Sequence, residues 1–120
     1  MAGKIVADQL EHSTAGSLDT QFVVNGSAKA WALSASGASP LNSLNVSSVT
    51  DNSTGNYDFT ISSAMSNVNF VVMGMATGQN KVNGTNRSSN TTTNIHVEVR
   101  DQASTLADND AQPAILGDLA

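Results

Sequence analysis

The chain has 120 residues, of which 39% are apolar, 4% aromatic and 12% charged, with no cysteine and a formal net charge of −5. That length bounds a single domain with one modest core, the lack of cysteine excludes disulfides and thiolate metal sites, and five scattered basic residues argue against nucleic acid, whose phosphates require clustered Lys and Arg. No stretch approaches the roughly 20 apolar residues of a membrane-spanning helix, and the first residues carry no apolar secretory segment, so a soluble protein with no membrane partner is expected.

In chain order, residues 1–20 are polar with isolated apolar positions at Ile5, Val6, Leu10 and Leu18. They read as an N-terminal arm, with Ile5 and Leu10 suited to docking on a neighbouring surface. Strands are expected over 21–24, 28–33 and 44–49. Tyr57-Asp-Phe-Thr-Ile61 and Ile95-His-Val-Glu-Val99 alternate apolar and polar residues at period two, the mark of a strand with one face buried and one wet. Phe70-Val-Val-Met-Gly-Met75 is apolar on both faces and reads as a central strand covered on both sides. Asn25-Gly26, residues 51–56 and residues 78–84 are turn clusters, because Asn and Gly tolerate positive φ. Residues 102–120 repeat the style of the arm, with Ile115 and Leu116 as docking positions.

Short strands at roughly ten-residue spacing with such turns predict an all-β fold, an antiparallel sandwich or a jelly-roll-like barrel. The expected organisation is an arm over 1–20, a β core over 21–101 in which Trp31, Tyr57, Phe59, Phe70 and Val97 pack in the interior or at a seam between subunits, and a C-terminal tail over 102–120. So few aromatic and large apolar residues leave a lone monomer close to break-even, so self-association is expected.

Little in the chain suggests reaction chemistry. His12 and His96 are far apart and neither belongs to a metal-ligand spacing. There is no G-x-S-x-G elbow and no phosphate-cradling glycine loop. Residues 51–56 and Asp108-Asn-Asp110 supply hard oxygen atoms, but the first reads as a hairpin turn and the second as a solvated acidic run. No enzyme activity, cofactor or metal is expected. Trp31 and Tyr57 could stack against a sugar, although one Trp and one Tyr leave little aromatic surface for both a core and a ligand.

The run Val24-Asn-Gly-Ser-Ala-Lys-Ala-Trp31, followed by Leu44-Asn-Val-Ser-Ser-Val-Thr-Asp-Asn-Ser-Thr-Gly-Asn-Tyr57, resembles a domain of tailed-bacteriophage virion proteins. It is found in short proteins and at the ends of longer fibre proteins, and the likeness runs from Gly3 to about Gly74. Residues 32–40 depart from that wording, and the last third matches nothing in it. The resemblance implies a non-enzymatic structural subunit of the virion, assembled in the host cytoplasm as a homotrimer and attached to major capsid or tail proteins. It would be a capsid-decoration (cement) protein or a short tail or head fibre. The alternative is a small carbohydrate-binding module that holds a host-surface glycan on Trp31 or Tyr57.

Overall fold

A computed structural model describes residues 3–35, 40–78 and 80–120. Met1 and Ala2 of the expected arm, residues 36–39 of the segment that departs from the phage wording, and Gln79 of the 78–84 turn cluster lie outside the described residues. The elements are β1 (Gln9–His12), β2 (Gly16–Asp19), α1 (Thr20–Gly26), β3 (Ala28–Ser34), β4 (Pro40–Leu44), β5 (Val46–Ser53), β6 (Asn56–Ile61), β7 (Val71–Ala76), β8 (Lys81–Thr85), β9 (Asn94–Asp101) and β10 (Ala111–Leu116). Eight of these strands form two four-stranded antiparallel sheets in the orders β4-β3-β10-β7 and β5-β6-β9-β8. The expected all-β sandwich is therefore what the chain forms. β7, β8 and β9 follow one another around one side, and β10 returns to lie beside β7, the order of a Greek key.

The alternating runs act as their period requires. In β6, Tyr57, Phe59 and Ile61 are buried; in β9, Ile95, Val97 and Val99 are buried, and Tyr57 pairs with Val97 and Phe59 with Ile95. These six side chains supply most of the volume between the layers. The first sheet meets them with small residues: Ala30, Ala32 and Ser34 from β3, Ala76 from β7, and Ala111 and Pro113 from β10, with Ile115 the one large exception. Phe70 is half-buried and packs at the margin of this cluster.

Three expectations change. Residues 102–120 are not a tail: β10 lies inside the first sheet between β3 and β7, and Ile115 is wholly buried. Proline is disfavoured in central strands, so Pro113 hides the period-two pattern of the run. The structure accommodates it opposite Gly74, where any Cβ would stand 2.7 Å from the Gln112 carbonyl oxygen and 3.1 Å from the Pro113 Cα. Residues 21–24 are not a strand of the core but part of α1, which lies outside both sheets and has no ladder to join. The core therefore begins at β3 rather than at residue 21. Finally, β7 is an edge strand with Val71, Met73 and Met75 exposed, so only one of its faces is covered.

The expected strand over 44–49 is divided at Asn45, whose φ of 56° is a left-handed conformation that Asn tolerates better than most residues. That turn passes the chain from the first sheet (β4) to the second (β5). Its side chain fixes the crossing, because Nδ2 donates to the carbonyls of Lys29 and Ser63 (both 3.1 Å) and Oδ1 accepts from the Ser63 N–H at 2.7 Å. The next turn, at Gly55, has φ 66° and no room for a side chain, since a Cβ would lie 2.6 Å from the Val99 carbonyl oxygen and 2.7 Å from the Ala107 nitrogen.

Two outcomes follow from this architecture. Ile115→Ala should lower the unfolding free energy by about 2–4 kcal/mol in urea titrations, the cost of emptying a buried aliphatic site; a change below about 0.5 kcal/mol would return residue 115 to an unpacked tail. Asn45→Gly keeps the left-handed turn and loses only the three hydrogen bonds, whereas Asn45→Ala loses both. Alanine should therefore cost about 1 kcal/mol more than glycine at this position, and equal costs would show that the backbone conformation carries no strain.

Candidate functional site

The small residues of β3 set the geometry of the site. With Ala30, Ala32 and Ser34 turned inward, strand alternation turns Trp31 and Leu33 outward. Trp31 is 36% exposed, which removes the core from the two places expected for it and leaves the subunit seam. Across the outer face of the first sheet, Leu44 pairs with Trp31, Trp31 with Ala114, and Ala114 with Met73, forming one continuous row over four strands. Two positions along, Leu33 pairs with Asn42 and Gln112 with Met75; on the other side of the row, Leu116 pairs with Val71. None of these ten residues is charged, and Met75 is 73% exposed. The bare apolar residues Trp31, Leu44, Val71, Met73 and Met75 are contiguous across the sheet, unlike the singly scattered apolar residues that are ordinary on a monomer's surface.

The outer face of the second sheet has opposite chemistry. His96 Nδ1 lies 2.7 Å from Asp58 Oδ1, linking β9 to β6, and His96 Nε2 is 3.9 Å from Glu98 Oε1. Arg100 donates to Glu98 Oε2 through Nε at 2.9 Å and Nη2 at 2.7 Å. Burial disfavours the charged Asp58 carboxylate, but hydrogen bonds from His96, Asn52 and Asn94 outweigh it and hold the group below its ordinary value of 3.8. With Asp58 ionised, the His96 Nδ1–H donates to it. Among the described residues no hydroxyl group hydrogen-bonds the imidazole ring, so the pair works as a cross-strand tie.

The acidic run beyond β9 also has a structural role. Asp108 Oδ1 accepts from the Gly55 N–H at 2.7 Å and from the Tyr57 hydroxyl at 3.3 Å, while the same hydroxyl accepts from the Asn109 N–H at 3.3 Å. Tyr57 is therefore buried with its polar end occupied, and burial followed by the nearby Asp108 charge pushes its phenol above the usual range. It offers no exposed ring for a sugar.

A second apolar surface lies in residues 3–27, none of which is buried. The β1–β2 hairpin is closed by His12, whose Nδ1 accepts from the N–H groups of Thr14 at 3.3 Å and Ala15 at 3.1 Å. Thr20 ties the start of α1 to the preceding chain, donating from its N–H to the Asp8 carbonyl at 2.8 Å and from its hydroxyl to the Ala7 carbonyl at 2.7 Å. At the other end, the Lys29 ammonium hydrogen-bonds the Val24 and Ser27 carbonyls, as suits a cation at a helix C-terminus. Between the extended residues and the helix runs an apolar groove of about 330 Å³ lined by Ile5, Val6, Leu10, Val23 and Val24. Ile5 is 92% exposed, and Phe22 is also bare. The molecule extends 49 Å along its longest axis, and its radius of gyration of 16.4 Å exceeds the roughly 14 Å expected of a compact chain of this length.

The residues expected to act together are thus divided. Tyr57, Phe59 and Val97 are in the core and Phe70 at its edge; Trp31 is on the outer face; Ile5 and Leu10 are in the arm; Ile115 is in the core and Leu116 half-buried on the outer face. Sequence reasoning missed Leu44, Val71, Met73 and Met75 as surface residues, and missed Phe22, Val23 and Val24 as part of the arm. The usable signal was the alternation of small residues from Ala30 to Ser34, which marks the opposite face as the bulky one. Compared with known proteins, the chain matches no family model, no curated protein and no solved structure.

The electrostatic tie yields a pH prediction. A depressed carboxyl contributes stability that is fully present above its unfolded value and is lost as pH falls through the lower folded value. Asp58→Asn should therefore narrow the stability gap to the unmodified protein as pH is lowered below about 4, measured by urea unfolding between pH 7 and pH 2.5. A gap that is constant over this range would mean that the ionised form of Asp58 contributes nothing.

Proposed function

We propose that the chain is a non-enzymatic structural subunit of a tailed-phage particle, self-associating and attached to the virion surface as a capsid-decoration protein or short fibre. The observation that carries this reading is the contrast between the two outer faces of the sandwich. One bears Trp31, Leu44, Val71, Met73 and Met75, with Lys29 near the start of β3 as that strand's one charge, while the other bears Asp58, His96, Glu98 and Arg100. A subunit that is covered on one side and meets water on the other needs this division. The Asn-Gly-Ser-Ala-Lys-Ala-Trp wording adds the phage context, with capsid or tail proteins as partners and a trimer as the assembly it implies.

A carbohydrate-binding role has one observation in its favour, the exposed ring of Trp31. Its row neighbours Leu44, Ala114 and Met73 are apolar, which suits a protein surface better than a sugar edge that needs polar partners.

The central test places a charge in the middle of the apolar face. Met73→Glu leaves the core untouched and should weaken self-association at least about tenfold, or about 1.4 kcal/mol, as read by light scattering over a dilution series. It should also reduce occupancy on particles that lack the subunit. Trp31 is the only tryptophan, so its emission separates the two readings: a blue shift on concentration marks protein contact, whereas a shift only on adding host-surface polysaccharide marks glycan binding. An Met73→Glu chain that associates and decorates like the unmodified one would sink the structural reading.

A further inference from the structure

We infer that the arm of one copy, residues 3–26, covers the outer face of the first sheet of a second copy. The inference rests on reading the chain as a self-assembling subunit and identifies the two surfaces that meet. Each copy carries two uncovered apolar surfaces that its own fold leaves bare. The sheet face offers Trp31, Leu44, Met73 and Met75; the arm offers Ile5, Leu10, Phe22 and Val24.

A two-stranded hairpin and a seven-residue helix are each marginal alone in water, so the arm needs cover as much as the sheet does. Among the described residues the arm exposes seven large apolar side chains and the sheet face five, so the two surfaces are comparable in extent. A contact of arm to face satisfies both surfaces of every copy in a reciprocal pair or a closed ring, whereas face against face would leave two arms bare. Charge points the same way. Copies with a net charge of −5 repel where their acidic surfaces meet, whereas the one charged residue of β3, Lys29, is a cation on the side of Trp31 and Leu33, of opposite sign to Asp8, Glu11 and Asp19 of the arm.

Pairing between free sheet edges is a poorer route to assembly. β4 begins at Pro40 and has a register irregularity against β3, and β5 has two such irregularities and an exposed Asp51, which are features that blunt an edge. On the other side, β7 and β8 are already bridged by the Asn83 side chain, which donates to the Met75 carbonyl at 2.7 Å.

The chain has no cysteine, so single introduced thiols give an unambiguous map. Phe22→Cys on the arm and Met73→Cys on the face, both at exposed positions, are made in separate full-length chains of different tag length and mixed under mild oxidant. The expected product is the mixed 22–73 disulfide, in roughly fivefold or greater excess over 73–73 and 22–22 pairs, as a heterologous contact requires. Predominant 73–73 pairing would overturn the inference in favour of a face-to-face dimer. A monomeric chain with no cross-link would overturn it by giving the face to a different partner. In a second measurement, a chain lacking residues 1–26, whose described residues all lie outside the buried core, should melt cooperatively but remain monomeric; retained assembly would also overturn the inference. All readouts use the purified chain, so arm exchange can stand where particle attachment fails, and the reverse.

Discussion

The structure depends on one steric constraint, the filling of the space between two sheets by residues that come mostly from one of them. Tyr57, Phe59, Ile61, Ile95, Val97 and Val99 project from β6 and β9 into the layer. Sheets pack about 10 Å apart, and interiors tolerate neither voids nor overlap. The first sheet must therefore answer with alanine, serine and proline. Period-two alternation then sends its large residues outward, so that Trp31 is exposed because Ala30 and Ala32 are not. The apolar outer face is thus a consequence of how the core is filled.

The turns that hold this packing are specified by a few residues whose conformations others cannot adopt cheaply. Asn45 moves the chain between layers and ties the ends of the turn to Lys29 and Ser63. Gly55 brings the tip of the next hairpin against Val99 and Ala107, and Asp108 binds both that glycine and Tyr57. The hydroxyl of the largest core side chain is therefore satisfied by the same acidic run that, in sequence, reads as solvated. A buried polar end without such partners would cost on the order of 1–3 kcal/mol, so the Asp108 loop belongs to the core even though it lies at its margin.

Legibility in the sequence followed the strength of each local signal. β6 and β9 could be read residue by residue, because strict alternation leaves one register in which the apolar set is buried. β10 could not, since Pro113 argues against a central strand and its accommodation depends on Gly74, nearly forty positions earlier in the chain. α1 contains Phe22, Val23 and Val24, residues that favour a strand, and only their position outside both sheets leaves them helical. Trp31 was ambiguous for a related reason: an aromatic residue between alanines fits either a core or a subunit seam, and only the burial of Ala30 and Ala32 shows that here the alanines are the core. Of the surfaces that matter for assembly, Ile5 and Leu10 were readable as unpartnered anchors, and the sheet face was not, because it needs the register of four strands distant in sequence.

β7 joins these points. Its run from Val71 to Met75 is apolar on both sides, a pattern belonging to strands covered on both faces, yet the sandwich covers one face only. The residues left bare include two methionines, whose flexible and polarisable side chains suit a surface that must fit a partner after folding. A doubly apolar strand at the edge of a sheet is an aggregation hazard if it stays open, and here one edge is engaged by Asn83 while the exposed face is continuous with Trp31 and Leu44. The bare side of β7 is thus one part of an apolar surface that spans the first sheet, and Ile5, Phe22 and Val24 of the arm form a second such surface.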